Sequence, residues 1–174
     1  MGYTAQIGGF YNVMGSLNQF FQNQVTGAGL PAFMPSAVVN FDYPQQPLTF
    51  PSFSVTHLGS EPAAIAQGSQ LDPGWRGYRR VGLMEIDCWE SEQRASGQAV
   101  RNVTILRDMA ARVFATGAGI PILDVYGTTG TPTANGTIIR AMAAREAGIE
   151  RDENPDVVRR RLIIEYNWLE RVSG

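Results

Sequence analysis

One short run does most to limit the possible folds. Between residues 158 and 168, Val158, Leu162, Ile164, Tyr166 and Trp168 alternate with Arg159, Arg161, Glu165 and Asn167, and only Arg160 and Ile163 break the pattern. Successive side chains on a strand point to opposite faces, so this run predicts a strand with one apolar and one polar side. The same alternation divides the triplet Arg159-Arg160-Arg161, sending its outer members to one face and its middle member to the other. It reads as a solvated strand end rather than a DNA contact.

Two stretches have helical spacing instead. Phe10, Val13, Met14, Leu17, Phe21 and Val25 recur at steps of three and four, opposite an uncharged face of Asn12, Ser16, Asn18, Gln19, Gln22, Asn23 and Gln24. Thr26-Gly27-Ala28-Gly29 ends that helix and Pro31 bars its continuation. In the second, Ala99, Val103, Leu106, Ala110 and Val113 share a stripe flanked by Met109 and Phe114, opposite Arg101, Asn102, Thr104, Arg107, Asp108 and Arg112. Further strands are predicted at 37–43, 50–57, 81–89 and 120–126, while 137–148 fits either a short helix or a strand. A long Gly- and Pro-punctuated connection is expected over 59–78, a Gly/Thr-rich mobile arm over 127–136, and a solvated turn over 151–155. The order of elements predicts one α+β domain spanning 1–174, a mostly antiparallel sheet with two amphipathic helices packed on it.

Charge is unevenly spread. Residues 1–75 hold only Asp42, Glu61 and Asp72, and every arginine lies at Arg76 or later. A solvated surface normally mixes both signs, so a stretch this poor in charge points to surface covered by something else. All 14 basic residues are arginine, which removes lysine chemistry: no Schiff base, no phosphate-loop lysine, no lysine general base. The formal net charge of -2 argues against tight, salt-sensitive binding to nucleic acid or an anionic membrane. One Cys and one His exclude an intrachain disulfide framework and a zinc site built from Cys and His, and no apolar run is long enough for a membrane span. No cofactor or metal is expected. At 174 residues and 44% hydrophobic composition, the chain has ample material for a core.

The candidates for chemistry are few. Glu85 and Asp87, two apart, face the same side of a strand with Glu90 nearby. Such a pair can do acid–base work or hold Mg²⁺ if Asp124 or Glu165 converge on it, but a polar sheet face predicts the same residues. His57 falls on the Phe53/Val55 side of its strand and reads as a core-edge histidine, and Cys88 as a buried, inert thiol. Trp75, Arg76, Tyr78, Arg79 and Arg80 combine aromatic rings with guanidinium groups, as protein-interface hot spots do. They also suit a single-strand nucleic-acid platform, which the near-neutral charge disfavours.

The order of these pieces resembles a known family. A helix and strands precede "RRVGLMEIDCWESEQ", then "AVRNVTILRDMAARVFA", "GIPILDVYG" and a closing "RRRLIIEYNWLERV". In order and texture this is similar to the tail terminator (tail completion) proteins of long-tailed bacteriophages and to related head–tail joining proteins. The resemblance implies a non-enzymatic virion protein, assembled in the host cytoplasm. Six copies would form a ring on the head-proximal end of the tail tube, ending tube polymerisation and joining the tail to the head connector protein. DNA would pass through the lumen without tight binding. Ring closure needs two different patches per subunit. The expected contributors are Asn12, Gln19 and Gln22 on the first helix, the 75–80 cluster, and Thr129 and Thr131 in the arm. The alternatives are a carboxylate- and Mg²⁺-dependent small hydrolase, a neighbouring connector or adaptor ring protein, and a small nucleic-acid-binding module.

Overall fold

The closing strand extends beyond 158–168 in both directions in the computed structural model, which describes residues 10–27, 29–36, 38–41, 49–62, 69–72, 75–115, 119–124, 131–132, 138–151 and 155–173. In chain order the elements are α1 (Phe10–Gly27), β1 (Val39–Phe41), β2 (Ser52–Pro62), β3 (Ser69–Asp72), β4 (Trp75–Ser91), α2 (Glu92–Ala95), α3 (Ala99–Ala115), β5 (Ile120–Pro121), β6 (Leu123–Asp124), β7 (Thr131–Pro132), β8 (Ile138–Arg151) and β9 (Val157–Ser173). The fold is α+β, as the element order predicts.

One sheet runs β1-β2-β4-β9-β8-β5, with β3 also paired to β4, and β6 and β7 form a separate ladder. Among the described residues the pairings are antiparallel except β1 with β2, where Val39 lies beside Phe53 in parallel. At the centre, β4 and β9 are each 17 residues long and pair along their whole length, from Trp75 with Ser173 to Ser91 with Val157. Such strands reach about 55 Å. The helices laid on them, of 17 and 18 residues, cover only about 26 Å.

The helices sit on one face of the sheet and close the core there. Phe53, Val55, Met84, Ile86, Cys88, Val158, Leu162, Ile164, Tyr166 and Trp168 are buried from the strands, against Val13, Leu17, Phe21 and Val25 of α1 and Val103, Leu106, Ala110 and Phe114 of α3. Phe21 is the joint. Its ring meets Phe53 edge-on at 5.4 Å and lies parallel to Phe114 at 5.9 Å, so one side chain ties both helices to the sheet.

Several expectations are corrected. The 59–78 segment is not a loop: β2 continues to Pro62 against Arg80, and β3 and the first turn of β4 form a further ladder, with 63–68 and 73–74 outside the described residues. Gly and Pro there punctuate strands instead of replacing them. The ambiguous 137–148 stretch is, from Ile138 on, strand β8, because backbone pairing with β9 outweighs the helical preference of its Ala, Arg and Glu, and 137 lies outside the described residues. The predicted 120–126 strand begins as two short pieces, β5 and β6, separated at Ile122, and 125–126 lie outside the described residues. Most of the 127–136 arm lies outside the described residues, its described part being Thr131–Pro132 paired to Leu123–Asp124.

Not every polar position opposite the helix stripes lies on the outside. Asn12 and Ser16 are buried, not solvent-facing. Ser16 Oγ donates to the Asn12 carbonyl at 2.6 Å and accepts the Leu123 N–H at 2.8 Å, so this polar pair docks the 120–124 segment onto α1. Asn102 is buried too, for the reason given below.

Candidate functional site

Among the described residues, the polar face of the sheet carries the most concentrated ionic network. Register places Ser54 beside Asp87, Asp87 beside Arg161, and Glu85 one pair further along. Arg161 Nε lies 3.0 Å from Glu85 and 3.3 Å from Asp87, while Arg159 approaches Asp87 at 3.8 Å and lies over the Trp89 ring at 5.2 Å. The Trp89 indole N–H donates to Ser54 Oγ at 2.8 Å. Glu85 and Asp87 thus share a side, as two-residue spacing requires. Burial raises the Glu85 pKa above its ordinary value, Asp87 pushes it further, and the Arg161 charge opposes both. Arg159 and Arg161 are not a solvated strand end. They are the cations of this network, and Arg160 on the opposite face donates to Thr104 of α3 at 2.7 Å.

Chemically, the arrangement clamps carboxylates with guanidinium groups. Acid–base work would require a carboxylate released from Arg161. Among the described residues there is no group of three or more His, Cys, Asp or Glu side chains that could hold a metal ion. Asp87 is buried within this network, and Glu165 lines a hollow further along the same face with Leu58 and Leu83.

Glu90 stands apart from the other two acids, on the helix-facing side, and is fully buried. It accepts from Arg94 at 2.9 Å, from the Asn102 amide at 3.1 Å and from the Ser91 backbone N–H at 3.0 Å. Arg94 also donates to the Phe33 carbonyl. This cluster fastens the end of β4 to α2, α3 and the 29–36 segment, and it explains why Asn102 is inside. The single imidazole is held likewise. His57 Nε2 lies 2.8 Å from Asn18 Oδ1 and Nδ1 lies 3.4 Å from the Tyr166 hydroxyl, with Phe10 edge-on at 6.3 Å. Burial pushes the Tyr166 phenol and the Cys88 thiol upward, so both are neutral at physiological pH.

The proposed interface residues are distributed over the fold and do not form one patch. Asn12 is buried within the chain's own core, whereas Gln19 and Gln22 are exposed beside Tyr11, Asn23 and Gln24, giving α1 a solvent face without ionised groups. The 75–80 cluster lies on one strand, and alternation splits it. Tyr78 is half-buried on the helix side, where Arg80 binds Glu170 at 3.3 Å and Ser60 at 3.2 Å, while Arg79 is exposed on the other side. Trp75 and Arg76 are placed by their backbone in β4, and their side chains lie outside the described residues. Thr131 is placed by its backbone in β7, and Thr129 lies outside the described residues. Spacing put Glu85 with Asp87 and Arg159 with Arg161, and Glu90 is four residues from Arg94, but nothing in spacing brought the two strand pairs together or Asn102 to Glu90, since these converge only when β4, β9 and α3 pack. Compared with protein-family models and with curated proteins, the sequence has no match.

Proposed function

We propose that this protein is a structural subunit of a phage tail–head junction. In this reading copies of the chain close into a ring on the head-proximal end of the tail tube, stop tube growth, and present a surface to the head connector while DNA passes through the lumen. The observation that carries it is the solvent face of α1. Tyr11, Gln19, Gln22, Asn23, Gln24 and Thr26 are all exposed, and none is ionised. An uncharged face of amides around an aromatic ring suits a neighbouring subunit better than open water, because amides bond to a partner without the desolvation cost of charge. The capture of Glu85, Asp87 and Glu90 by arginines gives the same reading indirect support, since those acids act as structural ties. No described helix is long and apolar enough to cross a membrane.

Electron micrographs of the purified chain mixed with tail tubes test the reading. The expected result is a closed ring capping one end of each tube, with longer tubes when the chain is omitted. A protein that never forms rings and never decorates tube ends overturns it. A ring that binds the head vertex and not the tube would instead identify an adjacent connector.

A further inference from the structure

The polar face of the sheet carries a second charge pattern, beyond the Arg161 clamp, that nothing within the described chain uses. Glu61 on β2 pairs in register with Val81 on β4, Val81 with Asn167 on β9, and Asn167 with Arg140 on β8. Directly paired residues share a face, so all four lie on the side away from the helices. Arg79 is on that side too, two residues before Val81, and Glu165 is two residues before Asn167. Arg79, Arg140 and Glu61 are exposed and Glu165 is half-buried. None of the four has an ion-pair partner among the described residues.

Their placement on the ladder is regular. Arg79 and Arg140 are two strands and two residues apart, and so are Glu61 and Glu165, in the same sense. Each arginine is one strand and two residues from one glutamate. With strands about 4.8 Å apart and a rise of about 3.4 Å per residue, the four positions form a near-rectangle of about 12 by 8 Å. One long edge is cationic and the other anionic. Two hollows follow the same division: one of 410 Å³ lined by Glu61, Glu165, Leu58 and Leu83, and one of 200 Å³ lined by Arg79, Arg140 and Asn167.

A rectangle with opposite charges on its long edges is self-complementary. A two-fold axis lying in the face and running between the edges puts each arginine of one copy over a glutamate of the other. We propose that this face is a docking surface for a second copy of this chain, packed sheet on sheet about the two-fold. The operation sets Arg79 against Glu61 of the other copy and Arg140 against Glu165. Leu83, 39% exposed, comes over the Leu169 region, and Val81 lies beside the axis. The strands of the two sheets then cross at roughly 70°, near the orthogonal class of sheet packing. Sheets packed about 10 Å apart leave room for an arginine to reach a glutamate across the gap. The occupant is a second copy because the pattern matches its own image; a basic or acidic partner would satisfy only one edge. The contact is independent of the ring reading, since a two-fold uses the same patch on both copies whereas a ring uses two different ones.

Charge exchange tests the proposal on the full-length chain. Sedimentation and light scattering at micromolar concentration should show a species of twice the subunit mass, or paired rings, that dissociates as salt is raised. R79E/R140E makes all four positions acidic, and E61R/E165R makes all four basic. Each alone should weaken the contact by about a hundredfold, because like charges then face each other. Mixed together, they should restore the wild-type mass as a one-to-one assembly. Circular dichroism melting confirms that both variants are folded. Wild-type protein with no two-fold species, or an assembly indifferent to both double variants, overturns the pairing. In either case an intact ring leaves the tail-junction reading standing, whereas a salt-sensitive dimer that both double variants disrupt, without rings, leaves the pairing standing and overturns the ring reading.

Discussion

Gly82 has no room for a side chain. A Cβ at this position of β4 would lie 2.4 Å from the Tyr166 ring, directly across the ladder on β9. Tyr166 cannot easily retreat, because it stacks on Trp168 at 5.6 Å and meets His57 edge-on. Gly82→Ala should therefore cost about 1–3 kcal/mol, read as a lower denaturation midpoint. The cost should shrink when Tyr166 is also truncated, in a double-mutant cycle. Glu85 offers a pH signature at the same scale. Its folded pKa is raised above the ordinary 4.5, so folding favours its protonated form. That contribution is complete below about pH 4.5 and is lost as pH rises through the higher folded value. The stability of wild type relative to Glu85→Gln should accordingly fall between acidic and neutral pH, measured by urea denaturation across that range; a flat difference would contradict the burial of this carboxyl. Single residues were also where the sequence was least legible. Asn12, Ser16 and Asn102 are polar positions on amphipathic helices and read as facing away from the apolar stripe. They are buried because Leu123 and Glu90, remote in sequence or on another element, supply their partners.

At the scale of elements, legibility followed contrast between faces. The helix stripes through Leu17 and Leu106 and the alternation through Ile164 were clear because one side of each is apolar and the other is not. The outer ends of β4 and β9 were hidden: Trp75 to Arg80 mixes aromatic, Gly and Arg side chains without alternation, and only ladder pairing makes it a strand. β8 was ambiguous because its Ala and Ile positions satisfy both periods. The joints between elements carry the measurable energies. Phe21→Ala removes the ring shared by α1, α3 and β2 and should cost about 3–5 kcal/mol. Glu90→Ala leaves Asn102 buried without its acceptor and Arg94 half-solvated without its anion, at about 2–3 kcal/mol. Glu90→Gln should lose less, since an amide oxygen still accepts. Thermal or chemical denaturation of the three variants orders these costs, and an Ala variant no weaker than Gln would mean the cluster does not brace the end of β4.

For the molecule as a whole, stability should be graded along the central ladder. Amides at 84–88 and 162–166 lie beneath both helices and should exchange most slowly, and those at 75–79 and 169–173, beyond the helix layer, should exchange sooner. Hydrogen-exchange mass spectrometry reads that gradient, and uniform protection along β4 would contradict it. The fold class was legible from element order, but the strand order was not, because register and neighbour choice are properties of the closed sheet. That order has one further effect. β9 follows the other described strands in chain order yet sits between β4 and β8, so the β1-β2-β4 half and the β8-β5 half have no shared ladder without it. A nascent chain whose residues 157–173 have not emerged has two half-sheets joined by no ladder, and the sheet is completed only when they do. Any self-association that needs the finished sheet is thereby timed to follow the emergence of β9.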